Sequence, residues 1–320
     1  MTKTKKLKLF FFLLILFAFN SELGYSQELF HSNDRVCFVG NSITNNGEFH
    51  HNILLYHLTR FPSEKVSFYN CGIPGDRAEE IVASFDTDIM VNNPSHIVIM
   101  AGMNDVDRTL YPFTPTIKVD TLKMRKNAID IYKKNLEQIV KQFLDRKINV
   151  TLQKPSIYDQ TAKLALPANL GVNDALQSCG NFITELAQKY NLQTIDYWTF
   201  MNNLNLEKQK VNPAFTLTSK DRIHPQATGH FVMFYKFLKD KNAVKYVSKI
   251  AISKNKKKNN LPIKCNIHSI EKTPFGLKFN VLEKSLPFPT VTNQQEALQL
   301  VPFTTEFNQQ ILQIDGLKKN

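Results

Sequence analysis

No pair of cysteines in this chain carries a metal-binding or redox spacing. The four present are Cys37, Cys71, Cys179 and Cys265, and no CxxC occurs among them. That excludes a cysteine zinc site and a thioredoxin-type motif. Zinc-ligand spacing and RNA-binding signatures are missing too, so the basic balance is not read as a nucleic-acid footprint. A membrane-length apolar run is also missing. The stretch Leu9 to Phe19 is well short of the ~20 apolar residues that a membrane helix needs. No cysteine follows it in lipobox position, so a lipid anchor is not expected. Acidic residues are the scarcer sign, 28 Asp+Glu against 40 Lys+Arg, a formal net charge of +12. Much of that excess is local, in Lys3, Lys5, Lys6 and Lys8 and in Lys254, Lys256, Lys257 and Lys258. Such runs are solvated or removed in processing.

What is present is enough hydrophobic residue, 42 %, for a full core in a chain of 320 residues. Length allows one large domain with a small appendage. The lysine-rich start followed by Leu9 to Phe19 reads as a secretory signal, with cleavage near Ser26. Residues 1–26 are therefore expected to be removed, leaving no stable membrane span and a periplasmic or secreted protein. In that setting Cys37 and Cys71 are expected to be buried free thiols, because adjacent parallel strands seldom offer disulfide geometry.

The rest of the chain alternates strand and helix. Strands are expected at Arg35–Val39, Val66–Tyr69, His96–Ala101, Asn149–Gln153 and Gln193–Asp196, the third the clearest apolar run and the last short. Helical spacing appears at about His50–Thr59, with Ile53, Leu54 and Leu58 on one face. It recurs at Arg77–Ser84, Arg125–Arg146, Asn173–Tyr190 and Gln226–Lys239. Residues 107–123 are expected to form an irregular loop, and a loop-rich passage is expected between Asp196 and Asp221. Five strands alternating with helices predict an α/β fold with a parallel sheet covered on both faces. The hydrolytic domain would span residues 27–250. A basic linker, 251–261, would lead to a small β-rich region, 262–320, ending in a strand with no return partner.

Four short stretches fall where such a sheet does its chemistry, at the carboxyl ends of strands. They are Gly40-Asn41-Ser42-Ile43, Asn70 to Gly75, Gly102-Met103-Asn104-Asp105 and Asp221-Arg222-Ile223-His224-Pro225. Their residue types suit acyl transfer. A hydroxyl nucleophile, Ser42, needs a base, His224. Asp221, three residues earlier, can hold the Nδ1 side of that ring. The Ser42 and Gly75 backbone N–H groups and the Asn104 amide can face an oxyanion. Asp105 is expected to brace the loop around Asn104. His50, His51, His57, His96 and His230 are read as surface or packing residues, with His50 on the surface.

The four blocks, in order and spacing, resemble those of the SGNH/GDSL hydrolase superfamily over about Arg35 to Lys239. The resemblance implies a flavodoxin-like three-layer sandwich with a five-stranded parallel sheet. It implies a triad of Ser42, Asp221 and His224, an oxyanion hole of Ser42, Gly75 and Asn104, and ester hydrolysis with no metal and no cofactor. Gly72 is an alternative to Gly75. The family has Asp where this chain has Asn41, which keeps the shape and the acceptor oxygen and loses the charge. The expected substrate is a small-molecule or glycan ester, with acetyl groups on carbohydrate in first place. A lipase, aryl-esterase or thioesterase, or a non-catalytic glycan-binding protein on the same scaffold, are the alternatives. The oligomeric state is not legible in the sequence.

Overall fold

The computed structural model describes residues 29–113, 119–253, 262–274 and 276–316. The expected signal, residues 1–26, and most of the expected basic linker, residues 254–261, lie outside them. The first strand, β1 (Arg35–Gly40), is followed by a short helix, α1 (Ser42–Asn46), and by α2 (Glu48–Arg60). Then come β2 (Ser67–Gly72), α3 (Ala78–Ala83), β3 (His96–Met100), α4 (Val119–Asp145), β4 (Asn149–Lys154), α5 (Val172–Tyr190) and β5 (Gln193–Asp196). Two further helices, α6 (Tyr197–Gln209) and α7 (Ala227–Asp240), complete this part.

The five strands form one parallel sheet in the order β2-β1-β3-β4-β5. Their sequences explain the layering. Val36, Cys37, Phe38 and Val39 of β1 and Ile97, Val98 and Ile99 of β3 are all at most 1 % exposed. A strand apolar on both faces is stable only with helices above and below it. The order reverses direction between β1 and β3, and a sheet of this kind opens a crevice there at the carboxyl ends. In register, Gly40 stands beside Gly72 on one side and Met100 on the other. Three of the four motif stretches therefore leave the sheet side by side.

Several elements differ from the sequence reading. The segment between β5 and Asp221 is loop by its sequence, yet it opens with the 13-residue α6. Asp196 caps it by accepting the Thr199 N–H at 3.0 Å. Its buried positions are Tyr197, Met201 and Asn205, and one of the three is polar, so the apolar spacing is diluted. The helix expected at His50–Thr59 starts at Glu48 and buries Phe49, His50, Ile53, Tyr56, His57 and Arg60. Leu58 is 47 % exposed, so it is not on the buried face. Helix α4 begins inside the expected loop, at Val119, with Val119 and Leu122 exposed.

The C-terminal region carries β6 (Tyr246–Ser253), β7 (Cys265–Thr273), β8 (Gly276–Glu283), α8 (Gln295–Leu300), α9 (Phe303–Phe307) and β9 (Gln309–Asp315). It holds two small sheets, the antiparallel β7–β8 pair and a parallel β6–β9 pair. The last strand, expected to lack a partner, pairs with β6 instead. Residues 251–253, expected to open the linker, end β6. Helices occur where only strands are expected. Phe288 and Phe303 pack on Phe231 and Phe234 of α7 at ring-centroid distances of 5.1–6.2 Å. These rings belong to the same buried cluster as the sheet. All four cysteines are free thiols.

Candidate active site

The turn after β1 places Ser42 at the first position of α1. Asn41 is the residue before it, 2 % exposed, and its Oδ1 accepts the Ile43 N–H at 3.1 Å. Asn is as good a helix cap as Asp. The first N–H groups of a helix have no partner inside it, so the Ser42 N–H faces outward from the turn.

The Ser42 Oγ lies 2.8 Å from His224 Nε2. On the far side of the ring, His224 Nδ1 lies 2.6 Å from Asp221 Oδ2. The Asp221 Oδ1 accepts three further bonds, from Ser219 Oγ and from the N–H groups of Ile223 and His224. Burial works to raise the Asp221 carboxyl, but these bonds, led by the one to His224, win and hold it down at about 2. A carboxylate that stays ionised can only accept, so Nδ1 carries the ring proton. Nε2 is then a lone pair aimed at the Ser42 hydroxyl. The His224 and Asp221 side chains are 38 % and 44 % exposed, which leaves the relay open to an incoming substrate.

The turn that carries them is closed on itself. Ser219 N donates to His224 O at 2.7 Å, and Thr218 bridges to Pro225. Helix α7 starts two residues after Pro225. One of its residues, His230, is fully buried and meets Asn46 Nδ2 through Nε2 at 3.2 Å. The helix after Ser42 and the helix after His224 are thus joined a second time, behind the relay.

The stretches after β2 and β3 are joined to each other and to α1. Asn70 Nδ2 donates to Asn45 O, and Asn45 Nδ2 donates to Gly72 O. Asn104 Nδ2 donates to Asp76 O at 3.0 Å. A carboxamide nitrogen has two hydrogens, so a second N–H remains on Asn104. Asp105 accepts from Ala78 N at 2.8 Å and from Gly102 N at 2.9 Å, one bond per oxygen. It braces the Asn104 loop against the start of α3. Burial pushes its carboxyl up to about 6 against those two bonds.

The two glycines of the Asn70 to Gly75 stretch differ. A Cβ on Gly72 would sit 2.4 Å from Asn45 N, whereas Gly75 has φ +92° and open space around the Cβ position. Gly72 is needed for close approach and Gly75 for its backbone angle. A cleft of about 190 Å³ lies beside this loop pair. Its lining includes Arg77, Asp105, Asp107, Leu110, Met124 and Asn127.

Among the described residues, no group of three or more His, Cys, Asp or Glu stands close enough to hold a metal ion. The histidines expected to pack do so. His96 Nε2 meets Thr151 Oγ1 at 2.9 Å. His50, expected at the surface, is instead 2 % exposed, with Nε2 on Thr44 O at 3.0 Å. Because α2 begins at Glu48, its inward face includes this position. Sequence reasoning does not single out Ser219, Asn46 or the Asp76 carbonyl. None of the three has a residue type or spacing that marks it.

The family profile of the GDSL-like lipase/acylhydrolases matches residues 36–237. An acetylxylan esterase of Geobacillus stearothermophilus is 22 % identical over 181 residues, 56 % of this chain and 74 % of that protein. Among solved structures, a gut microbial diltiazem-metabolizing enzyme is 31 % identical with a TM-score of 0.80. The match covers 92 % of this chain and 68 % of that one. A catalytic mutant of the Geobacillus acetylxylan esterase shares the fold, at 18 % identity and a TM-score of 0.53, over 68 % of this chain and 97 % of its own. The profile spans well over half of the chain and every motif stretch, and the chain belongs to the GDSL-like lipase/acylhydrolase family, as an ester-hydrolysing serine hydrolase.

Proposed function

We propose that this enzyme is exported and removes short acyl groups, acetyl above all, from carbohydrate, through an acyl-enzyme on Ser42. The observation that carries the mechanism is the unbroken line Ser42 Oγ, His224 Nε2, His224 Nδ1, Asp221 Oδ2, with spacings of 2.8 and 2.6 Å. His224 takes the Ser42 proton as Oγ attacks the ester carbonyl. Asp221 stabilises the imidazolium that forms. The oxyanion of the tetrahedral intermediate is met by the Ser42 N–H, the Gly75 N–H and the free N–H of Asn104. His224 then gives its proton to the departing alcohol. Water, activated by the same ring, attacks the acyl-enzyme and releases the acid. The original Ser42 proton leaves with the alcohol, and a proton from the water, passed through His224, replaces it on Oγ, so Ser42 and His224 end as they began. Asn41 and Asp105 support the site by fixing the Ser42 turn and the Asn104 loop.

The similarity to an acetylxylan esterase supports a short acyl group, acetyl on carbohydrate, as the group removed. The Lys-rich start and the Leu9 to Phe19 stretch support export to the periplasm or medium. No helix among the described residues is long and apolar enough to cross a membrane. A second reading, a non-carbohydrate ester, draws on the diltiazem-metabolizing relative and on the exposed side chains of Phe113, Leu166 and Leu170.

The test compares wild type with Ser42→Ala and His224→Ala on p-nitrophenyl acetate, p-nitrophenyl octanoate and acetylated xylan. Turnover of the acetyl substrates, lost in both variants with circular dichroism unchanged, is the expected result. Equal turnover in Ser42→Ala would end the mechanism. Preference for octanoate over both acetyl substrates would end the substrate assignment alone.

A further inference from the structure

We propose that Arg222 is a positioning residue: its guanidinium bolts the Asp221–His224 turn to the loop between β4 and α5, and so holds the imidazole on Ser42. The proposal rests on the triad reading above. Arg222 is 3 % exposed, unusually buried for an arginine. Among the described residues its side chain bonds no carboxylate. Instead Nη1 donates to Asp159 O at 2.9 Å and Ala162 O at 3.1 Å, and Nη2 donates to Leu166 O. All three carbonyls belong to the same loop. The backbone is committed as well. Arg222 N donates to Ser219 O, and Arg222 O accepts from Asp159 N, both at 2.9 Å.

The backbone angle adds a second argument. Arg222 has φ +69°, in the left-handed region. Few residues other than glycine adopt it, and a strained residue persists only where its surroundings over-determine it. Here the surroundings are the bonds just named. Arg222 sits between Asp221 and His224, so its backbone angle sets the direction in which the two catalytic side chains leave the turn. Arginine suits this task better than lysine. A planar fork with five donors can meet several carbonyls at once, whereas an ammonium on a flexible stem cannot hold the same geometry.

The loop being held is itself well anchored. Tyr158 OH donates to Asn169 Oδ1 at 3.0 Å, and Asn169 Nδ2 donates to Tyr111 O. Thr161 and Ala162 N–H groups donate to Asp159 Oδ1. Lys163 N donates to Pro213 O at 2.8 Å. The turn therefore borrows rigidity from a structure that reaches from α6 to the segment before α4.

The experiment uses Arg222→Lys and Arg222→Asn. Asparagine tolerates the left-handed angle, so Arg222→Asn removes the fork without adding backbone strain. Three readouts are taken: kcat and KM on p-nitrophenyl acetate, the rate at which Ser42 is labelled by a fluorophosphonate, and the same rates with added methylguanidinium. A misplaced imidazole costs about 100-fold in kcat. Both variants are expected to lose about that factor in kcat and in labelling rate, with KM nearly unchanged and the circular dichroism spectrum retained. Methylguanidinium is expected to restore part of the rate in Arg222→Asn and nothing in wild type. Unchanged kcat in either variant overturns the proposal. So does unfolding of both, which would make Arg222 a stability residue and no more. Full activity in Ser42→Ala would instead remove the triad reading on which this one stands.

Discussion

At the scale of single residues, the site depends on polar side chains that each satisfy a neighbour while keeping one function free. Asn41 stands where the resemblance implies Asp, and its position shows what the turn asks of that residue. What the turn uses is an acceptor oxygen for the Ile43 N–H, and Asn supplies that as well as Asp does. A charge at a site 2 % exposed would add a desolvation cost without adding a bond. Asn104 divides its two amide hydrogens between Asp76 O and, in the proposed mechanism, the oxyanion. Replacing it with alanine removes both. Donors of this kind are worth about 2.7–4 kcal/mol of transition-state stabilisation, or 10²–10³ in kcat. Asn104→Ala is expected to lose about that factor in kcat on a nitrophenyl ester, with KM close to wild type. An unchanged kcat would remove Asn104 from the oxyanion hole.

At the scale of elements, the sequence is most legible where burial is simplest. The central strands β1 and β3 are nearly continuous apolar runs, buried along almost their whole length, and β3 and β5 stand within a residue of where the sequence predicts them. The four motif stretches are legible because turn residues and catalytic residue types coincide in them. Helix α6 is not, because one of its three inward positions is Asn205, whose amide oxygen accepts the Leu217 N–H instead of packing in an apolar stripe. Strand β6 escapes sequence reading because its parallel partner, β9, is far away in the chain, beyond any local pattern. The two glycines near Ser42 show the same limit. The sequence prefers Gly75 to Gly72 by its place in the motif, but it does not separate a steric need from a conformational one, as the structure does. Their alanine variants should therefore differ. Gly75→Ala meets nothing and incurs only the left-handed angle, about 1–2 kcal/mol. Gly72→Ala collides with the backbone of Asn45, adds overpacking of typically about 1–3 kcal/mol, and shifts the helix that begins at Ser42. Urea unfolding is expected to rank Gly72→Ala as the less stable of the two. The opposite order would sink the steric argument.

Across the whole molecule, the least legible feature is how many histidines are buried, and it carries a pH dependence. Sequence reading puts His50 on the surface and divides the others between surface and packing, because histidine is at home in both places. In the structure His50, His57 and His230 are buried, and His96, half-buried, packs against Phe30. Burial, helped by neighbouring positive groups, lowers His50 and His230 to about 4 and His96 to about 3, from 6.5. Unfolding returns each to its ordinary value, so the unfolded chain binds more protons between those limits. A depressed folded pKa means stability that is fully present above pH 6.5 and is lost as pH falls through the folded values. Asp105 acts in the other direction. Its carboxyl is raised by burial to about 6, so its contribution is present at low pH and lost as pH rises through 6. Asp76 is raised too, but His57 is lowered with the other rings, and the carboxyls of Asp159, Asp196 and Asp221 are held low, so acid removes more stability than it adds. His50, on the Thr44 carbonyl, and His230, on Asn46, both bond to the segment that begins at Ser42. Acid should therefore loosen the same region that carries the relay. The melting temperature, followed by circular dichroism at constant ionic strength, is expected to be nearly level between pH 6.5 and 8 and to fall steeply between pH 6 and 4. His230→Asn should flatten part of that slope, because it removes a group that must shed a proton to fold. A melting temperature that holds or rises on acidification to pH 4 would show that these rings are not buried neutral, and would overturn the packing described around the site.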